Sequence, residues 1–162
     1  MSSPATDLSD QQVEELNLAA WSQRGSARQW PALVAALAGE LAAGARPEAA
    51  RAFLRQAGRR MAAGSPLPIV ETLGELEAAV NVVWAALDWG WVRLLACEDD
   101  IRIVHGAWPG LAGAADAEAW PETAAAVLEG VYAAWMKAQG SPLGRTEQAP
   151  GRPGVLEFRH GA

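Results

Sequence analysis

The chain has 162 residues, enough for one domain with a single hydrophobic core, and its 51% hydrophobic and 20% charged residues are typical of globular proteins. The formal net charge of -6 argues against general binding to nucleic acid, since neutralising a phosphate backbone requires a basic surface. The sequence has a lone cysteine, no apolar run of membrane length and no secretory pattern in residues 1–28. These features favour a cytoplasmic protein without membrane insertion.

A first helix is predicted from Ser9 to about Gln23, because Ser9 and Gln12 have the spacing of a capping box. Its apolar side is thin, and a break at Gly25 and Ser26 follows it. We therefore predict that residues 1–28 form an N-terminal arm or docking helix and that residues 29–162 form a single domain. The candidates in this arm for contact with a partner, or with the inner surface of an assembly, are Val13, Leu16 and Trp21.

Two further helices are predicted from the spacing of apolar residues. The second runs from Arg28 to Ala43 and should direct inward the stripe Trp30, Leu33, Val34, Leu37 and Leu41. The third begins at Pro47 and should direct inward the stripe Ala50, Phe53, Leu54, Ala57 and Met61. A second face of this helix carries the basic stripe Arg51, Arg55 and Arg59. A stripe of this kind is usually a solvated face, and contact with a partner is the alternative.

A fourth helix is predicted from about Ile69 to Leu87, and its wide apolar stripe makes it the candidate for the central helix. The hydrophobic period then changes from about 3.6 to about 2, which predicts a hairpin with strands at Trp89–Cys97 and Ile101–Ala107. Its predicted loop is the acidic triplet Glu98, Asp99 and Asp100.

In extended backbone, Trp89 and Trp91 should project to the same face, because they are two residues apart. A pairing symmetric about Asp99 places on one face the opposed pairs Cys97 and Ile101, Leu95 and Ile103, Arg93 and His105, and Trp91 and Ala107. Cys97 is then expected to be a small buried residue. Two indoles on one face need a large covering surface, either the helices of the domain or a second copy of the chain.

After a loop rich in glycine and alanine at residues 106–116, a fifth helix is predicted at Trp120–Ala138. Its apolar stripe is Val127, Leu128, Val131, Tyr132, Trp135 and Met136. Gly130 within this helix predicts close approach of another backbone. Strands at 145–148 and 155–160 predict a second hairpin. The order of four helices, a hairpin, a helix and a hairpin indicates an α+β fold in which about five helices pack on a small antiparallel sheet.

Residues that could carry chemistry are few. The two histidines, the single cysteine and the scattered carboxylates lack the spacing of a recognised metal site or catalytic constellation, so we predict no enzyme activity, no metal and no cofactor. The eight tryptophans are unusual, because tryptophan anchors interfaces and stacks on sugars. Trp84, Trp91 and Trp135 lie on apolar stripes and are expected in the core, whereas Trp108 beside the loop is a candidate for either packing or contact.

Four segments together resemble a known family. They are LRQAGRRMA at Leu54–Ala62, LDWGWVRL at Leu87–Leu94, RIVH at Arg102–His105 and VLEGVYAAWM at Val127–Met136. In this order and at these spacings they are similar to the small D subunit of bacterial cellulose synthase. The resemblance covers about residues 47–140, and the N-terminal 28 residues and the tail match poorly.

The resemblance implies a non-catalytic accessory protein that assembles as a ring-like octamer, a tetramer of dimers. It implies a role in arranging glucan chains into crystalline ribbons during export. In one model the protein is an intracellular scaffold with a proline-rich partner. In the other the chains pass through the ring, which is usually placed in the periplasm. The absence of an export pattern favours the cytoplasmic scaffold. The candidates for contacts between subunits are Trp89, Trp91, Arg93, His105, Trp108, Val131, Tyr132 and Trp135. The arginines Arg51, Arg55 and Arg59 join the N-terminal arm as candidates for partner or inner-surface contact.

The alternative is a module that binds a glycan or another small molecule by stacking it on exposed tryptophans, including direct contact with glucan.

Overall fold

The computed structural model describes residues 8–22, 30–110, 120–141 and 144–161. Its helices are α1 (Asp10–Ser22), α2 (Trp30–Gly44), α3 (Pro47–Gly64), α4 (Leu73–Leu87) and α5 (Trp120–Ala138). Its strands are β1 (Trp91–Ala96), β2 (Asp100–Gly106), β3 (Arg145–Ala149) and β4 (Val155–Gly161). The predicted α+β class, with both hairpins, is confirmed. The predicted break at Gly25 and Ser26 and most of the predicted loop at 106–116 lie outside the described residues.

The strands form one antiparallel sheet in the order β1-β2-β4-β3, so pairing of β2 with β4 joins the two hairpins. Both faces of this sheet are covered. Residues such as Val92, Ile103 and Phe158 pack in a main core with α3, α4 and α5. Residues on the other face, including Trp91 and Val155, form a smaller core with α1. The domain is therefore layered, with the sheet between α1 and the larger group of helices.

Helix α5 is the centre of the main core. Its predicted bounds are confirmed, every residue of its predicted apolar stripe is buried, and 12 of its 19 residues are buried in all. The expectation that α4 is the central helix is wrong, because α4 buries only Leu76, Val80 and Trp84. Helix α4 also begins later than predicted. A capping box between Thr72 and Glu75 fixes its first turn, with the Glu75 N–H donating to Thr72 Oγ1 at 3.2 Å.

Two glycines allow α3 and α5 to approach closely. A Cβ placed on Gly58 would overlap the backbone carbonyl of Val127, and one placed on Gly130 would overlap that of Arg55. The prediction that Gly130 marks a close backbone approach is confirmed. This contact sets which side of α3 is buried, so the inward position predicted for Phe53 is wrong and its side chain is exposed.

The first hairpin pairs one residue out of the predicted register. Arg93 faces Val104, and the residue opposite His105 is Val92. A shift of one residue exchanges the two faces of β1 relative to β2, so Val92 and Leu94 share the main-core face with Ile101 and Ile103, where Trp91, Arg93 and Leu95 were predicted. The predicted pairing of Arg93 with His105 is therefore wrong.

The length of the hairpin loop explains the shift. The Cys97 N–H donates to the Asp100 carbonyl at 2.8 Å, so these two residues continue the pairing beyond Ala96 and only Glu98 and Asp99 form the loop. A loop of two residues instead of three moves the centre of the hairpin by half a residue, so each residue of one strand pairs one position further along the other. Cys97 is consequently exposed at the hairpin end, and the prediction that it is buried is wrong.

Side chains of α4 cover the free edge of β1. The Asn81 side chain accepts from the Val92 N–H at 2.8 Å and donates to the Val92 carbonyl at 2.9 Å. Glu77 accepts from the Leu94 N–H at 2.8 Å and pairs with Arg93 at 2.7 Å. These contacts occupy backbone groups that would otherwise be available to another strand, so this edge of the sheet is protected against pairing.

Candidate functional site

The segment that joins α4 to β1 separates the two tryptophans of the WGW motif. Asp88 has a left-handed conformation with φ of 58°, and Gly90 has φ of 96° with no space for a Cβ beside the carbonyls of Gly106 and Ala107. Trp89 consequently lies before the strand and in the main core, whereas Trp91 begins β1 and lies in the smaller core on the opposite face. The prediction that both indoles share one face is wrong, because alternation of faces requires continuous extended backbone.

On the main-core side, an aromatic cluster forms around Trp84. We define this aromatic cluster as Trp84, Trp89, His105, Tyr132 and Trp135. The Trp84 ring stacks on Trp89 with centroids 5.8 Å apart and meets His105, Tyr132 and Trp135 at centroid distances of 5.2, 6.1 and 5.1 Å. Aromatic pairs in these geometries stabilise a core by about 0.5–1.5 kcal/mol beyond the burial of their area.

Hydrogen bonds inside the aromatic cluster fix the tautomer of His105. Its Nε2 lies 2.8 Å from the Trp89 carbonyl, which can only accept, so Nε2 carries the proton. In the neutral imidazole, Nδ1 then accepts from the Tyr132 hydroxyl at 2.5 Å, and that hydroxyl accepts from Trp84 Nε1 at 3.1 Å. Burial raises the pKa of Tyr132 well above its usual range. The three polar side chains of this network, Trp84, His105 and Tyr132, are buried and bond to one another and to the Trp89 carbonyl.

On the opposite face of the sheet, Asn17 helps to hold α1 against the domain. The Asn17 side chain accepts from Trp91 Nε1 at 3.0 Å and donates to the Gly154 carbonyl at 2.9 Å. Val13 is buried beside this contact, with Leu16 partly buried. The predicted capping box is confirmed, because the Ser9 N–H donates to Gln12 Oε1 at 2.9 Å and the Gln12 N–H donates to Ser9 Oγ at 3.3 Å. The boundary proposed at residue 28 stays a prediction.

A buried carboxylate lies between α3 and α5. Glu129 is 2% exposed, and its two oxygens pair with Arg51 and Arg55. The basic stripe of α3 is therefore not uniformly solvated, since the partly exposed side chains of Arg51 and Arg55 contact this carboxylate, whereas Arg59 is exposed. Arg51 also donates to Gln148 Oε1 of β3 at 3.4 Å, which links α3 to the edge of the sheet.

A family model that describes the D subunit of cellulose synthase matches residues 16–153. The chain belongs to the family of cellulose synthase D subunits. Curated relatives named cellulose synthase operon protein D share its sequence over 95 residues, with 37% identity in Komagataeibacter xylinus and in Komagataeibacter sucrofermentans and 35% in a second protein of Komagataeibacter xylinus. The aligned part covers 57% of this chain and 59% of those relatives.

Within this member of the D subunit family, most residues predicted to contact other subunits are packed inside the chain. Buried positions are Trp91, His105, Val131, Tyr132 and Trp135. Trp89 and Trp108 are partly buried against the main core, and Arg93 is exposed in its pair with Glu77. Contact of these residues with another subunit stays a prediction. Of the residues predicted for a partner or inner surface, Trp21 and Arg59 have exposed side chains.

Exposed apolar side chains lie where the sequence predicted core. Leu33 and Leu37 of α2 are 50% and 57% exposed, whereas Ala35 and Ala38 are the residues of this helix that are buried. Their predicted inward position is wrong, because a helix that is apolar around most of its circumference gives no period from which to choose a face. The side chain of Trp30, predicted in the same stripe, lies outside the described residues.

Sequence reasoning missed three polar side chains that organise this D subunit fold: Asn17, Asn81 and Glu129. Each is a polar residue on the side of its helix that packs against the rest of the domain. A polar residue among the inward apolar positions is the signal that could have found them, because a buried polar group requires a partner. Across the described residues, no group of three or more His, Cys, Asp and Glu side chains is arranged to hold a metal, and none of the described helices has the length and apolar character of a membrane span.

His160 joins β4 to the segment after α5. Its Nε2 lies 2.7 Å from Ser141 Oγ and its Nδ1 lies 2.8 Å from Thr146 Oγ1. Burial lowers the pKa of His160 below its usual value. At His160, the unfolded chain therefore takes up a proton at a higher pH than the folded chain, so the contribution of this residue to stability is complete above the ordinary histidine pKa of about 6.5 and falls as the pH decreases below it.

We expect urea unfolding to show this loss between about pH 7.5 and pH 5.5, on either side of the ordinary histidine pKa. The matched His160→Asn variant should be less stable at neutral pH and should lose less stability across the same interval. Equal losses for the two proteins would contradict the assignment to His160.

Proposed function

We propose that this chain is a non-catalytic accessory protein of bacterial cellulose synthesis that works as a homo-oligomeric scaffold. Membership of the family of cellulose synthase D subunits supports the role in cellulose synthesis, as do relatives named for the cellulose synthase operon. The closed hydrogen-bond network of the aromatic cluster supports a structural role, since its polar groups are already paired with one another.

The single observation that favours assembly is the apolar surface of α2. The helix has 15 residues, of which Glu40 is the only charged one, and Leu33 and Leu37 project side by side at i, i+4 spacing with half or more of their surface exposed. A helix that is apolar around its circumference is normally buried on all sides. We propose that a second copy of the chain covers this face.

A hollow beside α2 also supports assembly of two copies through this helix. About 300 Å³ of space lies between the second half of α2, the start of α3 and the start of α5, and its lining includes Leu41, Leu54 and Ala126. This hollow is open to solvent, so the side of α2 toward α3 and α5 is incompletely packed against its own chain. Contact with another copy would add the packing that the single chain does not supply.

The finer features of the scaffold rest on the family resemblance. We propose a ring-like octamer made as a tetramer of dimers, which arranges synthase complexes and glucan chains so that cellulose leaves as ordered ribbons. Closed symmetric rings of this kind need rigid repeated contacts and no bond chemistry. Other products of the operon, including a proline-rich protein, are the proposed partners.

We propose that the scaffold acts in the cytoplasm, because a scaffold that aligns synthase complexes does not need to meet the exported glucan. Cell fractionation tests this location. Recovery of the protein with the cytosol or the inner face of the membrane is expected, and recovery in periplasmic shock fluid would favour the periplasmic alternative.

Direct contact with glucan is the second candidate function, and the observation that favours it is Trp21. Among tryptophans with described side chains, Trp21 alone is half-exposed, and an exposed indole can stack on a sugar ring. Titration with cello-oligosaccharides while following tryptophan fluorescence separates the two functions. A saturable response that is lost in Trp21→Phe would favour glycan binding, and a flat response favours the scaffold without glucan contact.

The α2 surface is tested by replacing both exposed leucines, as Leu33→Gln with Leu37→Gln. Glutamine retains helix propensity without changing the net charge, and the loss of apolar area should weaken self-association by about 10-fold to 100-fold. Light scattering over a dilution series measures this effect.

The matched control is Val82→Gln, which makes the same kind of change at an exposed residue of α4. The control should keep the mass of the unmodified protein. Equal dissociation of the control, or none in the α2 variant, would argue against this surface.

A further inference from the structure

A basic groove runs along α5 on the side away from the aromatic cluster. We define the basic groove by its four cationic side chains, Arg55, Arg59, Lys137 and Arg145. Its walls are α3 and the start of β3, and its floor is the small-residue surface of α5 at Gly130 and Ala133. Two adjoining hollows share Arg59, Ala133 and Gly144, and the one beside Arg55 and Glu129, here called the inner hollow, has a volume of about 230 Å³.

The cations of this groove are only partly neutralised. Arg55 pairs with Glu129, and Arg145 pairs at 2.8 Å with Glu147, which is itself half-exposed. No carboxylate of the described residues lies within 4.0 Å of Arg59 or Lys137, and Arg59 has only a hydrogen bond to Gln56 at 3.2 Å. The whole chain has a net charge of -6, so this concentration of unpaired positive charge is not an average property of its surface.

Arg55, which lines the inner hollow, also carries an unsatisfied donor just beneath the surface. Arg55 Nε is buried and has no hydrogen-bond partner, although the other end of the same guanidinium is held by Glu129. Buried donors in native proteins are normally paired with protein, water or a ligand. The two oxygens of Glu129 are occupied by Arg51 and Arg55, so this carboxylate orients the Arg55 guanidinium.

We propose that the basic groove binds a small phosphate-bearing ligand, with its phosphate in the inner hollow against Arg55 and Arg59. A phosphate carries more charge and more acceptor oxygens than a carboxylate, so it can accept from the Arg59 fork while it lies against the partly exposed Arg55 side chain. Lys137 lines the second hollow, where its flexible ammonium group can pair with a second phosphate. The glycine and alanine floor lets the ligand approach the α5 backbone.

This site goes beyond the scaffold role and does not depend on it, because all of its residues come from one chain. Inorganic pyrophosphate is the probe, since it presents two linked phosphates without a sugar or base. Isothermal titration of the full-length protein at low ionic strength should give saturable binding at one site per chain, and added salt should weaken it.

The decisive comparison uses two neighbouring arginines of α3. Arg59→Ala should weaken pyrophosphate binding about tenfold or more, which corresponds to the loss of a charged hydrogen bond. Arg60→Ala removes the same charge from an adjacent exposed residue that does not line the groove, and it should leave the affinity within about twofold of the unmodified protein. Absence of saturable binding, or equal weakening by both variants, would overturn the proposal.

Discussion

Replacing Trp84 with alanine should lower the free energy of unfolding by about 3–5 kcal/mol, the range for deleting a fully buried aromatic side chain. Trp84 has no exposed surface, contacts four other members of the aromatic cluster and donates its Nε1 proton to the Tyr132 hydroxyl. The substitution would leave a cavity in the main core and remove one donor from the closed network. Urea unfolding followed by far-ultraviolet circular dichroism measures the change.

Trp21→Ala is the matched control for this prediction. Trp21 is 50% exposed on α1, so its loss should change the free energy of unfolding by about 0.5 kcal/mol or less. Similar losses for the two variants would contradict the assignment of Trp84 to the core and Trp21 to the surface.

The second large effect is expected from the double variant Arg51→Met with Arg55→Met. It leaves the buried Glu129 carboxylate without either of its cationic partners, and isolating a buried charge costs about 3–5 kcal/mol. The arginine side chains are 38% and 34% exposed, so water can approach the site, and we expect a loss near the lower end, about 3 kcal/mol.

Two further variants show whether the stability is lost because the Glu129 charge is unpaired or because arginine packing is lost. Adding Glu129→Met to the double variant removes the carboxylate and should recover most of the lost stability, since an apolar replacement of a whole buried ion cluster is often neutral or stabilising. Arg59→Met, on the same helix but without a carboxylate partner among the described residues, should have little effect. A triple variant no more stable than the double one would show that the carboxylate is not the cause.

The helices that the sequence predicts best are those whose apolar stripe is continuous and whose ends carry clear signals. In α5, Pro121 lies near the start and Gly140 follows the end, the predicted bounds are those of the structure, and Gly130 correctly indicated a close neighbour. Helix α2 shows the opposite case. Its residues are apolar on all sides, so the pattern located the helix but could not identify the buried face, and Leu33 and Leu37 were placed wrongly.

The first hairpin shows what alternation alone cannot predict. The pattern located both strands, but register depended on whether Asp100 belongs to the loop or to β2, and one residue of difference exchanged the two faces. The separation of Trp89 from Trp91 depended on positive φ angles at Asp88 and Gly90, which the period of two does not reveal.

The burial of Glu129 could not be predicted for a different reason. Its two partners lie on α3, more than 70 positions away in the chain, and pairing over that distance follows from tertiary packing and not from local spacing. The basic stripe of α3 therefore has two parts, with Arg51 and Arg55 stabilising the core and Arg59 available in the basic groove.

Light scattering of the unmodified full-length protein at tens of micromolar tests the scaffold proposal most directly. The monomer has a mass of 17.0 kDa, and the proposal predicts a stable species several times heavier, an octamer in its full form. A mass of 17.0 kDa that persists across that concentration range would contradict it.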